Sequence, residues 1–139
     1  MEEAAKKNME QTAAQAAEAT KRGTLELAAP IRAAGQDIRE LKYDFTKLTG
    51  WEYAQALDED ISAGSVFRLS NRQAISLFAA AAAKATAIRN EAGVEIHPLD
   101  AKDIRDRLGI EDGVKAAQLA AVFFIVTARE ANKRTTAGS

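Results

Sequence analysis

Hydrophobic and polar residues alternate along two short stretches in the first third of the chain. Residues 24–31 carry hydrophobic side chains at every second position, namely Leu25, Leu27, Ala29 and Ile31. Residues 40–45 repeat the pattern at Leu41, Tyr43 and Phe45. A period of two is typical of strands with one buried face. Because residues 33–36 contain a turn glycine, the sequence predicts a β-hairpin. Pro30 predicts an edge strand, since proline cannot donate a ladder hydrogen bond.

The remaining hydrophobic residues follow helical spacing in four segments. Two of these segments begin at capping boxes, Thr49–Glu52 and Ser70–Gln73, whose first and fourth side chains each accept a backbone N–H. The helix after Ser70 is hydrophobic around most of its circumference, so we expect a central helix running to about Asn90. A short helix is predicted after Asp100 as N-cap, and a last one over residues 112–131.

These elements predict an α+β fold that is mostly α, in which one N-terminal β-hairpin packs against a bundle of about four helices. The predicted single domain comprises residues 23–131. Residues 1–22 are rich in Ala, Glu, Lys and Gln, and Met1 and Met9 are their only large hydrophobic side chains. We therefore expect residues 1–22 to be flexible or to form an exposed helix. Residues 132–139 are predicted to be a polar tail.

Few residues suggest catalysis or metal binding. The chain has no cysteine, and its single histidine, His97, precedes a proline in a predicted turn. A zinc site would then need three carboxylates, which is unusual. Asp100, Asp103 and Asp106 share one side of a short helix, but basic residues alternate with them, which favours capping and helix-dipole stabilisation. The sequence therefore predicts no enzyme, no cofactor and no metal site.

Charged residues fall into blocks along the chain. Residues 61–90 contain four basic residues and no acidic one, whereas residues 37–60 and 91–113 each contain seven acidic and three basic residues. The net charge of −1 gives no bias toward nucleic acid or an anionic membrane. The basic residues of the central helix lie at widely different angles and form no nucleic-acid-binding stripe. Two interpretations remain open, namely internal pairing between neighbouring segments and complementary patches for protein association.

The stretch Glu40–Gly50, with the sequence ELKYDFTKLTG, resembles a segment of the tail assembly chaperones of tailed bacteriophages. In that family a β-hairpin leads through a D-F-x-x-L-T-G stretch into the first helix. Leu99–Asp103 and the last helix, which contains Val122-Phe123-Phe124, are similar to the later part of such proteins. The resemblance extends over residues 24–130, and the Ala-rich N-terminal segment departs from the family pattern.

The resemblance implies a non-enzymatic chaperone of the host bacterial cytoplasm. Such a protein binds the tape measure protein, a long, helical and aggregation-prone chain, and keeps it soluble for tail tube assembly. The tail tube protein and a second copy of this chain are further partners to expect, with no nucleic acid and no membrane. The family brings no catalytic residues. A second class stays open, a structural component of phage morphogenesis such as a head–tail connector protein.

Four residues are candidates for partner binding. Leu25 and Leu27 lie on the predicted hairpin edge, and an exposed edge can add a strand from another chain. Trp51 and Tyr53 lie in the first turn of the predicted helix. An aromatic side chain at that place either anchors a partner or covers the core beneath the hairpin. For Trp51 the pattern favours the core.

Overall fold

The computed structural model describes residues 21–58 and 70–137. The described chain begins with two long antiparallel strands, β1 (Arg22–Ala33) and β2 (Gln36–Asp44). The rest of it forms four helices, a 3-10 turn and a minimal second hairpin, in the order 3-10 turn (Phe45–Lys47), α1 (Gly50–Asp58), α2 (Asn71–Ala85), β3 (Ile88–Arg89), β4 (Glu95–Ile96), α3 (Ala101–Arg107) and α4 (Ile110–Ala137). The predicted α+β architecture, mostly α with an N-terminal hairpin, is confirmed.

The β1–β2 hairpin turns within two residues, Ala34 and Gly35. Both have positive φ, 51° and 74° respectively, while Ala33 still pairs with Gln36. Two positive φ angles in a two-residue loop are the geometry of a type I′ turn, whose twist matches that of the flanking strands. The predicted turn over residues 33–36 is therefore confirmed.

β1 contains a wide bulge that the alternating pattern did not predict. Glu26 pairs with Glu40, yet the next pair is Ile31 with Ile38, so residues 27–30 lie opposite Arg39 alone. The bulge moves Ala29 to an exposed position, and the prediction that it shares the buried face is wrong. Leu25 and Ile31 on either side of the bulge are buried as predicted. Pro30 lies inside the bulge, where no ladder donor is needed.

The core is centred on α2, which contacts β2, α1, α3 and α4. Leu77, Phe78, Ala79, Ala81 and Ala82 have no exposed surface. The buried face of β2 meets this helix through Tyr43, whose ring centroid lies 5.3 Å from that of Phe78. Phe45 stacks on Phe123 of α4 at 5.2 Å. The expectation of a helix packed on several sides is confirmed, and alanines let the neighbouring elements approach closely.

Three helix boundaries differ from the prediction. α2 ends at Ala85 and not near Asn90, because the Thr86 hydroxyl accepts a hydrogen bond from the Lys42 backbone N–H (3.1 Å) and donates to its carbonyl (3.0 Å). The chain then forms β3, which pairs with β4. α4 begins at Ile110, two residues before the predicted start at Asp112, and it continues through Ala137 into the predicted polar tail.

No helix of the described residues is long and hydrophobic enough to cross a membrane.

Candidate partner-binding surfaces

The Asp44–Gly50 segment forms the junction between β2 and α1. Asp44 caps the 3-10 turn, since its carboxylate accepts hydrogen bonds from the backbone N–H (3.0 Å) and the hydroxyl of Thr46. The Thr46 hydroxyl bond is the main reason why the pKa of Asp44 is lowered. Phe45 is buried and anchors the turn to the core. Most residues of the D-F-x-x-L-T-G stretch thus shape this junction through local bonds and packing.

The first turn of α1 is fixed by a capping box and an ion pair. Thr49 and Glu52 exchange the predicted hydrogen bonds at 3.0 and 3.1 Å. Glu52 also accepts a hydrogen bond from Lys84 of α2, and this bond is the largest cause of its lowered pKa. Lys84 donates in addition to the Lys47 carbonyl (3.1 Å). An acidic segment therefore pairs with the basic helix, in agreement with internal charge pairing.

The outer edge of β1 has two parts, and no described residue forms a hydrogen bond with the first part. The Lys42 N–H and C=O both bond Thr86, so they point away from β1. The pair Thr24–Lys42 is then non-hydrogen-bonded within the ladder, and the backbone groups of Thr24 point outward. Backbone groups of every second residue in a strand point to the same side, so those of Glu26 also point outward. No described residue bonds these outward groups.

The second part of the β1 edge is covered by the junction between α3 and α4. The Asp112 carboxylate accepts hydrogen bonds from the backbone N–H groups of Ala28 (2.8 Å) and Ala29 (3.1 Å) inside the bulge. Arg107 donates to the Arg32 carbonyl at 3.0 Å. The exposed edge was predicted over residues 25–31. Only the part before the bulge is free of bonds from described residues, because the backbone N–H groups of Ala28 and Ala29 already bond Asp112.

The structure separates the four predicted partner-binding residues. Leu25 lies in the core with 7% of its surface exposed, and Leu27 is partly buried against the same core. Tyr53 stacks on Phe124 (5.4 Å), and burial raises the pKa of its hydroxyl. Trp51 is 73% exposed, so the expectation that it covers the core is wrong. Side chains two residues apart on a helix point about 200° apart. The orientation of α1 that directs Tyr53 toward the core therefore directs Trp51 toward solvent.

A second hydrophobic surface, missed from the sequence, lies between α2, α3 and α4. It is a groove of about 440 Å³ whose lining includes Ile75, Leu108, Ile110, Val114 and Ala121. Ile110 is 88% exposed and Val114 53% exposed. The predicted last helix begins at residue 112, so Ile110 lies outside the predicted helix although it begins the observed one. The hydrophobic residues of the last helix cover more of its circumference than one core-facing side needs. That excess was the sequence signal for a second hydrophobic surface.

The histidine and aspartates that the sequence offered for metal binding do not form a common site within the described residues. Within residues 21–58 and 70–137, no three side chains from His, Asp and Glu form a group that could hold a metal ion. His97 lies in the loop before α3 with Nδ1 3.0 Å from the Thr86 carbonyl. Asp100 is the N-cap of α3, as predicted, and it also forms a capping box with Asp103.

Within the described residues, the candidate binding surfaces are therefore the first part of the β1 edge, exposed Trp51 and the groove along α4. Comparisons of the chain with models of protein families, with curated proteins and with solved structures find no match.

Proposed function

We propose that this protein is a phage tail assembly chaperone that binds the tape measure protein and keeps it soluble in the host cytoplasm for tail tube assembly. The observation that carries the proposal is the resemblance at Glu40–Gly50, together with the conformation of that segment. A β-hairpin leads directly through Asp44–Gly50 into a capped helix. This order of elements agrees with the arrangement that the resemblance implies.

The exposed surfaces support a binding role. A long amphipathic chain exposes hydrophobic stripes until its assembly partners cover them, and such stripes favour aggregation. This protein presents Trp51, Ile110 and Val114 to solvent, all of them large hydrophobic side chains. Tryptophan in particular is enriched among residues that dominate binding energy. Several weak contacts on a long partner can together give strong attachment.

Co-expression with the tape measure protein of the same phage tests the proposal. The tape measure protein should move to the soluble fraction and should be recovered with this chain in a pull-down at low salt. Trp51→Ala should reduce the recovered amount without lowering the melting temperature, because that side chain is mostly exposed. Tyr53→Ala is the matched comparison, since loss of its stacking on Phe124 should lower the melting temperature. A tape measure protein that stays insoluble and unbound contradicts the proposal.

The second candidate is a structural component of phage morphogenesis, such as a head–tail connector protein. Among the described residues nothing bonds the first part of the β1 edge, and this favours the alternative because strand addition between identical chains builds stable assemblies. Mass spectrometry of purified particles distinguishes the two functions. Stoichiometric amounts of this chain in the virion indicate the structural component, and its absence from virions indicates the chaperone.

A further inference from the structure

The first part of the β1 edge presents the backbone groups of Arg22, Thr24 and Glu26. Each of these residues pairs with β2 at a non-hydrogen-bonded position, because hydrogen-bonded and non-hydrogen-bonded pairs alternate along an antiparallel ladder. Their N–H and C=O groups therefore point away from β2. Among the described residues, none bonds these groups. The edge can thus accept a further strand over the length of this segment.

This segment is complementary to itself when a second copy runs antiparallel to it. A two-fold axis at Thr24 places Thr24 opposite the second copy's Thr24 and Arg22 opposite its Glu26. All outward residues of both edges then form hydrogen-bonded pairs, with about six ladder hydrogen bonds. A shift of two residues in one direction brings Arg22 opposite Ala28, whose N–H already bonds Asp112. A shift in the other direction carries Glu26 past Arg22, the first residue of β1.

The same register brings opposite charges together. Glu26 lies opposite Glu40 of its own hairpin, and like charges that face each other across a ladder are destabilising. The second copy's Arg22 would lie on the other side of Glu26 and on the same face of the sheet. Arg22 has 66% of its side chain exposed and lies 3.9 Å from Asp44, so its guanidinium can also reach a second carboxylate. Two symmetric pairs of Arg22 with Glu26 would therefore offset the repulsion between Glu26 and Glu40.

The other hairpin edge is interrupted where β1 is open. The Lys42 N–H donates to the Thr86 hydroxyl (3.1 Å), and the Lys42 carbonyl accepts a hydrogen bond from the same hydroxyl (3.0 Å). A strand added along β2 would lose its pairing at this residue. A contact through a two-fold axis uses the same β1 segment of both copies, so the assembly closes at two chains.

We infer that the first part of the β1 edge binds the same segment of a second copy and forms a four-stranded antiparallel sheet with its two-fold axis at Thr24. The ladder is short and buries less area than a permanent dimer needs. We therefore expect a reversible dimer with a Kd of about 10–500 µM. The inference does not rest on the proposed function, because it uses only the geometry and the charges of this edge.

An exchange of charges tests the register. Sedimentation velocity of the full chain should show a monomer–dimer equilibrium up to about 1 mM. Arg22→Glu and Glu26→Lys each place like charges opposite each other at both symmetric pairs. Each variant alone should self-associate at least about tenfold more weakly than the wild type. An equimolar mixture of the two should recover the wild-type association, because both pairs of the mixed dimer again join a base and an acid.

Lys102→Glu and Glu91→Lys are the matched charge variants. Both residues are exposed, and they lie on α3 and in the β3–β4 turn, outside the β1 edge. Alone and mixed, these variants should associate as the wild type does. This control separates the effect of the cross-strand pairs from the effect of net charge.

Thr24→Pro tests the backbone ladder. The Thr24 N–H points away from β2, so proline at this edge position removes no ladder hydrogen bond of the single chain. It removes the central donor of the dimer ladder, and the Kd should rise at least about tenfold. The melting temperature of a dilute sample should stay close to that of the wild type. If this variant unfolds, the charge exchange decides by itself.

Several results would overturn the inference. A chain that stays monomeric up to about 1 mM excludes the dimer. Association that both charge variants retain excludes the register, as does a mixture that recovers nothing. If the chain is monomeric and Thr24→Pro lowers recovery of the tape measure protein, the edge belongs to that partner. A charge-dependent dimer that leaves the tape measure protein insoluble supports the inference and contradicts the chaperone function.

Discussion

Asp112 joins two parts of the described fold that are distant in sequence. Its side chain is almost fully buried, with 1% exposed, and each carboxylate oxygen accepts a backbone N–H from the β1 bulge. It lies in the first turn of α4, where the helix dipole favours negative charge. One carboxylate therefore holds the α3–α4 junction against the hairpin and keeps part of the strand edge from pairing with other chains.

Replacing Asp112 should be costly. Asp112→Ala leaves the N–H groups of Ala28 and Ala29 without their acceptor, and we expect a loss of about 2–3 kcal/mol in the free energy of unfolding. Glu111→Ala is the matched control: Glu111 is exposed and pairs with Lys115 one turn away, so its removal should cost about 0.5 kcal/mol or less. Urea denaturation measures both values. Similar losses in the two variants would show that Asp112 does not hold the bulge.

Ala34 is a second residue whose backbone decides its effect on stability. It has φ of 51° in the hairpin turn, a conformation that costs an L-residue with a Cβ about 1 kcal/mol or more. Ala34→Asn or Ala34→Gly should raise the free energy of unfolding by about 0.5–1 kcal/mol, because asparagine and glycine suit a type I′ turn. Gly35→Ala, at φ of 74°, should change it in the opposite direction. Thermal melts of the three variants check the signs.

At the scale of elements, α2 organises the domain through small side chains. Its alanines at positions 79, 81 and 82 have no exposed surface, and they let neighbouring elements approach the helix closely. The larger Phe78 fills the space toward the aromatic cluster of Tyr43 and Phe45. Volume is therefore distributed unevenly around α2, and Ala81 and Ala82 leave no room for additional atoms.

Enlarging a buried alanine should destabilise the protein. Ala81→Leu and Ala82→Leu should each lower the free energy of unfolding by about 1–3 kcal/mol through overpacking. Ala80 is the matched position, because it is half-buried and borders a cavity of about 200 Å³ that can accept a larger side chain. Ala80→Leu should therefore change stability by about 0.5 kcal/mol or less. Equal effects at positions 80, 81 and 82 would contradict this account of the core.

At the scale of the whole molecule, ionic bonds connect segments that are opposite in charge. Lys84 of the basic helix bonds Glu52 in α1 and the Lys47 carbonyl at the end of the 3-10 turn. Asp44 lies 3.9 Å from Arg22, across the open end of the hairpin. The charge blocks therefore contribute to joining the hairpin, its junction and α2.

Acid should weaken this connection. The folded-state pKa values of Asp44 and Glu52 are lowered, by the bonds from Thr46 and Lys84 respectively. As the pH falls, the unfolded chain therefore takes up protons first. The stabilisation is complete above the unfolded pKa of about 4 and is lost as the pH falls through the folded values. Glu52→Gln and Asp44→Asn keep capping oxygens but remove the titration, so stability should fall less steeply in acid.

Urea denaturation between neutral and acid pH checks this prediction. At neutral pH we expect Glu52→Gln to cost about 0.2–1 kcal/mol, because the ion pair is partly exposed. Asp106→Asn is the control, since Asp106 is exposed at the end of α3 and its carboxylate lies 3.8 Å from the adjacent Arg105. Its acid profile should follow that of the wild type. A Glu52→Gln profile parallel to the wild type would exclude the predicted contribution of the Lys84 pair.

Features governed by neighbouring residues could be predicted from the sequence alone. The two predicted capping boxes, the Asp100 N-cap, the turn at residues 33–36 and the buried face of β2 all depend on side chains a few positions apart. Their hydrogen bonds and periodicity are properties of the local chain, so they persist in the folded protein. The fold class followed from the same local signals, because a hairpin and several amphipathic helices must bury their hydrophobic faces together.

Tertiary structure alone decided the features that join distant residues. Asp112, which lies 84 residues from Ala28, bonds the β1 bulge, and α2 ends where Thr86 meets Lys42, 44 residues away. The candidate surfaces belong to the same class. Trp51 is exposed and Tyr53 is covered because Phe124 lies on one side of α1, and the groove exists only where α2, α3 and α4 meet. Hydrophobicity identifies side chains that can be buried, but the packing of distant elements decides which of them remain exposed to a partner.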